Sequence, residues 1–291
     1  MWIVPQAQKS MLKARVITAI CLVVVFFCAL FLFPPLAWLG FCALVAALAF
    51  WEWGELMTLD GRPRLVLGAG VVVVIAAMAM IFPSSLGLGF EFDHESLDAW
   101  QVGRWLYIPA VAFWLIVVPL WLKLRWTVMN PVTGIVSGVL VILPACLALI
   151  QLRQLGAGPL LAVMAMVWLA DIAAYFSGRA FGRHKLAPTI SPGKTWEGAV
   201  GGGLAVVVCG LLFSFSWPEW FSVNLGLLVI FLVAFTAISI VGDLFESLLK
   251  RQAGLKDSSH LLPGHGGVLD RIDSLTSTLP LVALVRFGMG I

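Results

Sequence analysis

The residues best suited to chemistry lie near the C-terminal end of the chain, between Ser247 and Asp273. The whole sequence is 61% hydrophobic and 11% charged, yet this stretch gathers charges of both signs around a Pro-Gly-His-Gly-Gly turn. Lysine and arginine bind phosphate oxygens, and carboxylates bind hard cations. The stretch therefore predicts a site for phosphate groups and a metal ion. Its charged residues and histidines are Lys250, Arg251, Lys256, Asp257, His260, His265, Asp270, Arg271 and Asp273.

The residues just before this stretch fit one face of a helix. Asp243, Ser247 and Lys250 are spaced by four and three positions, with Glu246 on the same face. We expect Asp243 to lie at the depth of a membrane interface, where Asp270 and Asp273 begin the next span.

Three convergent carboxylates suit Mg²⁺ rather than zinc, because the cysteines lie elsewhere and no histidine pair has ligand spacing. The alternative is that these carboxylates form structural ion pairs with the neighbouring lysines and arginine. His265, between two glycines, either donates to a phosphate or serves only in the turn.

A further acid, Asp171, lies inside the apolar run 159–177. An ionised carboxylate within a membrane is costly unless it is paired, so it is by default a functional hypothesis. The alternative is a salt bridge to a loop arginine.

A second basic region follows Asp171. Gly178 and Gly182, four cations and a Ser-Pro-x-Lys-Thr turn are typical of a polyphosphate cradle, in which backbone N–H groups approach the ligand. The alternative is a plain cluster of positive charge on the inner side of a membrane. The candidate phosphate-binding residues here are Arg179, Lys185, Ser191, Lys194, Thr195 and Glu197. The glycines from Gly198 to Gly203 indicate close helix packing.

The elements that position these residues are membrane helices. Composition places the 291 residues with polytopic helical membrane proteins and leaves no soluble domain. The expected fold class is all-α with about nine transmembrane helices, and Pro34-Pro35 separates the first two. Tryptophans near span ends, Trp53 and Trp121 among them, are interpreted as interfacial anchors. The predicted spans are 15–33, 36–53, 65–82, 105–122, 131–150, 159–177, 198–216, 225–243 and 274–290.

The distribution of basic residues predicts the orientation. With the N-terminus in the cytoplasm, every lysine and arginine except Arg104, Arg153 and Arg286 lies on the inner side. The net charge of +3 does not suggest nucleic-acid binding. The five cysteines lie in apolar runs and are interpreted as small buried hydrophobes. The acidic loop 83–104 is interpreted as a solvated connector on the outer side.

The stretch Ser247–Asp273 resembles the C-terminal motif of the phosphatidate cytidylyltransferases, or CDP-diacylglycerol synthases. Ser247, Lys250-Arg251, Lys256-Asp257, Pro263 to Gly267 and Asp270-Arg271-Ile272-Asp273 match that motif without a gap. The basic region after Asp171 resembles the family's second characteristic segment. The resemblance covers roughly 171–273, whereas residues 1–160 match only as a set of spans. It implies N-terminal transmembrane helices over 1–160 and a catalytic region over 161–291.

The resemblance implies the reaction of CTP with phosphatidate to give CDP-diacylglycerol and pyrophosphate, at the cytoplasmic face of a bacterial plasma membrane. It implies Mg²⁺ held by Asp243 and Asp270, with Asp273 and Asp171 in support. The implied catalytic residues are Asp243, Asp270, Lys250, Arg251, Lys256, His265 and Arg271. The implied substrate-binding residues are Arg179, Lys185, Ser191, Lys194, Thr195, Glu197, Ser247, Asp257, Gly266 and Gly267.

Two other functions compete with this reading. A CTP-dependent lipid-alcohol kinase would use similar residues but transfer the γ-phosphoryl group. A secondary transporter predicts charges near the bilayer midplane and repeat symmetry, whereas the charges here collect at one face and the sequence shows no repeat. A homodimer through small-residue helix faces is a further expectation.

Overall fold

A computed structural model of the chain describes residues 6–59, 61–89, 97–127, 130–216 and 224–288. Helices account for nearly all of the described secondary structure. Their bounds are α1 Gln6–Leu32, α2 Pro35–Leu56, α3 Arg62–Ile81, α4 Leu97–Ala112, α5 Val118–Leu124, α6 Pro131–Gln154, α7 Ala157–Phe181, α8 Trp196–Ser216, α9 Leu225–Gln252 and α10 Leu269–Gly288. A π-helical segment, Phe113–Val117, joins α4 to α5, and a 3₁₀ turn covers Ser84–Leu86.

Within the described ranges, eight segments are long and apolar enough to cross a membrane, with α4, the π segment and α5 counted as one. This confirms the prediction of an all-α polytopic membrane protein. The predicted turn at Pro34-Pro35 is also confirmed, since α1 ends at Leu32 and α2 begins at Pro35. Residues 90–96, which carry most of the acidic loop's carboxylates, lie outside the described ranges.

The ninth predicted span corresponds to α10, which differs in character from the other eight. It packs against α9, α6 and α4 and buries four consecutive or near-consecutive hydroxyl residues: Ser274, Thr276, Ser277 and Thr278. Ser277 Oγ donates to the carbonyl of Ile238 at 3.0 Å, and Thr278 Oγ1 donates to Ser274 O at 2.8 Å. The polar helix is stable because protein rather than lipid surrounds it.

In the part of the chain that the structure describes, one short β-hairpin interrupts the helical fold, and the sequence did not predict it. Strands β1 (Lys185–Ala187) and β2 (Ser191–Thr195) are antiparallel, with Lys185 opposite Thr195 and Ala187 opposite Ser191. The Ser-Pro-x-Lys-Thr segment is therefore a strand that runs directly into α8.

Glycines allow α7 and α8 to approach closely. A Cβ at Gly202 would lie 2.8 Å from the carbonyl oxygen of Ala170, and one at Gly198 would lie 2.7 Å from that of Ala174. A Cβ at Gly201 would collide with Ser177. The predicted packing role of these glycines is confirmed.

An aromatic cluster fixes α9 against the N-terminal helices. The ring of Phe245 lies 6.4 Å from Trp53, 5.7 Å from Trp114 and 5.3 Å from Trp121, measured between centroids. Trp53 is only 2% exposed, and its indole N–H donates to Gly134 O at 2.9 Å. The interpretation of Trp53 and Trp121 as interfacial anchors was wrong, because both rings are needed in the core.

Candidate active site

The predicted site residues gather at one end of the bundle. This end is formed by the C-terminal turns of α2, α7 and α9, the hairpin, the loop 253–268 and the first turn of α10. Helix α9 continues to Gln252, well past the predicted end of its span at 243. The long polar motif therefore lies partly on a helix and partly on a loop that folds back onto it.

The polar face predicted for α9 is present. Ser247 Oγ donates to Asp243 Oδ1 at 3.3 Å, and Lys250 Nζ lies 3.1 Å from Glu246 Oε1. Both contacts join residues one helical turn apart, as the spacing required. The opposite face carries Phe245 into the aromatic cluster, so packing of one face orients the other toward α10.

Asp270, in the first turn of α10, is the most heavily bonded of the predicted residues. Its Oδ1 accepts from Lys250 Nζ at 2.5 Å, and its Oδ2 accepts from Ser258 N at 2.8 Å, Ser258 Oγ at 2.9 Å and Gly267 N at 2.8 Å. Burial alone would raise the pKa of Asp270, but the bonds from Lys250 and Gly267 outweigh it and lower the pKa to about 2. Asp270 is therefore ionised and joins α9 to the glycine turn.

The Pro-Gly-His-Gly-Gly turn needs its glycines for two different reasons. Gly264 and Gly266 have φ of +77° and +81°, a region that other residues rarely adopt. At Gly267 a Cβ would collide with Ser258 Oγ and lie 2.6 Å from both carboxylate oxygens of Glu52. Because Gly267 has no Cβ, the backbone N–H groups of this segment can reach the carboxylates of Asp270 and Glu52. His265 donates its backbone N–H to Leu262 O at 2.8 Å, which closes the turn.

The side chain of His265 is only partly buried, but its Nδ1 atom is enclosed and has no hydrogen-bond partner among the described residues. Its backbone thus serves the turn, and its imidazole retains an unused polar atom.

Glu52, on α2, is a site residue that the sequence reading missed. Its carboxylate is 0% exposed and accepts bonds from the backbone N–H groups of Val268 and Leu269 and from the hydroxyls of Ser258 and Ser259. The signal was available, since Glu52 falls inside a predicted span and an intramembrane acid is by default a functional hypothesis.

The hairpin brings one of its predicted residues into the site. Lys194 Nζ lies 2.5 Å from Asp243 Oδ2. Thr195 is buried and instead caps α8, because its Oγ1 accepts from Gly198 N at 3.1 Å. Glu197 accepts from the backbone N–H of His184 at 3.2 Å, and its Oε1 lies 2.7 Å from His184 Nδ1. Gly178 and Gly182 pack against Thr195.

The remaining predicted residues surround this centre with varied exposure. Ser191, Ser247, Asp257 and Gly266 are half-buried, and Gly267 is buried. The exposed cations are Arg179, Lys185, Arg251, Lys256 and Arg271. Because these five side chains are exposed, they can meet a soluble polyanion.

Asp171, Asp243 and Asp273 form one electrostatic cluster, whereas Asp270 pairs with Lys250. Asp243 lies close enough to repel both Asp171 and Asp273, and burial followed by this repulsion raises the pKa of Asp273 to about 7. Each of Asp243 and Asp270 has a lysine on one oxygen. Within the described ranges no three His, Cys, Asp or Glu side chains are grouped tightly enough to hold one metal ion.

Comparison with known proteins covers almost the whole chain. The model of the cytidylyltransferase family matches residues 13–288. A phosphatidate cytidylyltransferase of Pseudomonas aeruginosa is 40% identical over 286 residues, which cover 96% of this chain and 98% of that protein. One of Haemophilus influenzae is 38% identical over 293 residues, covering 95% and 99%. This protein belongs to the cytidylyltransferase family.

Proposed function

We propose that this protein transfers the cytidylyl group of CTP to phosphatidate, giving CDP-diacylglycerol and pyrophosphate. The observation that carries the proposal is near full-length similarity to proteins named phosphatidate cytidylyltransferase. The cluster of cations and carboxylates at one end of the helical bundle supports it. A lipid and a soluble nucleotide can meet only at such a membrane interface.

The chemistry asks little of a general base. A phosphate oxygen of phosphatidate attacks the α-phosphorus of CTP, the bond from that phosphorus to the bridging β-oxygen breaks, and pyrophosphate leaves. The nucleophile is already anionic near neutral pH. What the site must supply is alignment of two anions and stabilisation of the leaving pyrophosphate. The exposed cations Arg251, Lys256 and Arg271, with Arg179 and Lys185, suit that task.

We propose that the reaction depends on Mg²⁺. The candidate ligands are all carboxylate oxygens, which Mg²⁺ prefers. Asp243 and Asp273 repel each other, so a cation bound at the site would reduce an unfavourable interaction. Asp243 and Asp270 would hold the ion, with Asp273 and Asp171 in support. A bound Mg²⁺ would neutralise phosphate charge. Lys194 and Lys250 now occupy one oxygen of each main ligand, so they would exchange a carboxylate for a phosphate partner.

We further propose that the site faces the cytoplasm of a bacterial plasma membrane. The distribution of lysine and arginine supports this orientation, with the N-terminus on the same side. The nucleotide pool lies there too. The dimer expected through small-residue faces finds no support at Gly198, Gly201 and Gly202, because these residues already pack against α7 within one chain.

A dual-label assay tests the proposed reaction. Purified protein in detergent, with Mg²⁺ and phosphatidate, is given CTP labelled in the cytidine and at the γ-phosphate. The cytidine label should enter the lipid phase, and the γ-label should appear in pyrophosphate. In a parallel reaction a lipid alcohol replaces phosphatidate, and entry of the γ-label into that alcohol, with the cytidine left in CDP, would instead establish the kinase. Transfer of neither label would refute the proposed function.

A further inference from the structure

We infer that Glu52 of α2 is a positioning residue for the reaction and that it acts by holding Asp270 and Lys250 in place. The inference rests on the proposed function and assigns a role to the N-terminal helices, outside the C-terminal motif. Glu52 contacts neither the exposed cations nor Asp243, so its action is through other residues.

The first support is the number and type of bonds that Glu52 accepts. Oε1 accepts from Ser259 Oγ at 2.6 Å and from Val268 N at 2.9 Å. Oε2 accepts from Leu269 N at 2.6 Å and shares with Asp270 the single hydroxyl proton of Ser258, whose Oγ lies 3.2 Å away. A fully buried carboxylate is stable only with such complete compensation. The donors come from two parts of one loop and from the start of α10.

The second support is that Glu52 and Asp270 accept hydrogen bonds from neighbouring donors of the same loop. The consecutive N–H groups of Gly267, Val268 and Leu269 point respectively to Asp270, Glu52 and Glu52. Ser258 Oγ lies between the two carboxylates, 2.9 Å from Asp270 Oδ2 and 3.2 Å from Glu52 Oε2. Negative charge at a helix N-terminus is stabilising, so Glu52 fixes the turn from which Asp270 projects.

The third support is the packing of the helix that carries Glu52. Its neighbour Trp53 is tied to Gly134 O and packs on Phe245 of α9. Phe245 lies on the same helix as Lys250, the partner of Asp270. Glu52 therefore joins α10 and the preceding loop to α2, which packs against α9, the helix that carries Lys250. The distance between Asp270 and Lys250 thus depends on Glu52.

Glu52→Gln isolates this role, because the amide keeps the shape but replaces one acceptor oxygen with a donor. Val268 N or Leu269 N would then face an N–H₂ group. Glu55→Gln is the matched control: it makes the same change one turn along α2, where Glu55 is half-exposed and pairs with Arg64 at 2.6 Å. Ser259→Ala removes one donor to Glu52 without touching Asp270.

The experiment combines steady-state kinetics with hydrogen–deuterium exchange of segment 258–269. We expect Glu52→Gln to lower kcat by about tenfold or more, as with other residues that orient a reactive group, while KM for CTP changes by less than about threefold because bound-state contacts to CTP are kept. Exchange in 258–269 should be faster, and exchange elsewhere unchanged. Ser259→Ala should lower kcat less than Glu52→Gln does, and combining the two substitutions should lower kcat little further than Glu52→Gln alone. Glu55→Gln should match wild type in both kcat and exchange.

Three results would overturn the inference: an unchanged kcat in Glu52→Gln, unchanged exchange in 258–269, or faster exchange throughout the protein, which would mark a merely structural residue. If wild-type protein makes no CDP-diacylglycerol, the proposed function fails and positioning for that reaction fails with it. The exchange comparison would then still show whether Glu52 holds the loop.

Discussion

Lys250 offers the sharpest test of the electrostatics of the site. Its ammonium lies 2.5 Å from Asp270 Oδ1 and 3.1 Å from Glu246 Oε1, and the three side chains are 12%, 5% and 5% exposed. Lys250→Met keeps the apolar stem and removes the charge. Two nearly buried carboxylates would then remain without the cation between them.

The expected loss of unfolding free energy in Lys250→Met follows from the contacts that Asp270 keeps. Removing one partner of a buried ion pair typically destabilises a protein by about 3–5 kcal/mol. Asp270 keeps its three bonds from Ser258 and Gly267, so we expect the lower end, about 3 kcal/mol, which is roughly a hundredfold in the unfolding equilibrium.

The assay is denaturant titration in detergent micelles at neutral pH with chelator present, so that no bound metal contributes. Lys123→Met, at an exposed position near the end of α5, is the control and should change the free energy of unfolding by less than about 0.5 kcal/mol. Lys250→Met combined with Asp270→Asn should lose less than the sum of the single variants, because they share one interaction. A loss below about 1 kcal/mol in Lys250→Met, the range of a surface pair, would refute this account.

Three further outcomes are expected of the proposed site. Asp243→Ala should abolish turnover without affecting membrane insertion, which is measured by cell fractionation; near-normal rates would remove Asp243 from the metal site. Chelator should stop turnover and added Mg²⁺ should restore it, because the candidate ligands are all carboxylates; chelator-resistant activity would contradict metal dependence. Reporter fusions after Leu155 and after His260 should signal the outer and the cytoplasmic side respectively, because positive loops stay inside; a cytoplasmic signal at Leu155 would reverse the orientation.

The spans could be predicted from sequence because lipid demands long apolar runs that end in turns. Their ends could not. Helix α9 continues to Gln252, and α4 begins at Leu97 rather than near 105. Beyond the lipid, a helix is surrounded by protein or water, so the hydropathy of the sequence no longer shows where the helix ends. The π segment Phe113–Val117 carries no signal of this kind at all.

The site was predictable where residues near in sequence act together, as with Asp243, Ser247 and Lys250. It was not predictable where distant segments meet. Glu52 lies 216 positions before Val268, one of its hydrogen-bond donors. The sequence around either residue does not predict this contact. Thr195 and Glu197 look like phosphate ligands by type, but the hairpin and the start of α8 have their own unpaired backbone groups, and these two side chains satisfy them.

The polar character of α10 bears on how the protein is made. A helix with buried Ser274, Thr276, Ser277 and Thr278 gains little by partitioning into lipid alone. It is also the last of the described helices to leave the ribosome, so it should enter the membrane only against an already assembled α9, α6 and α4. Asp270 then arrives last, onto a docking surface that includes Glu52. A chain whose biogenesis stops before this step would carry lysines and arginines at the membrane but no completed site.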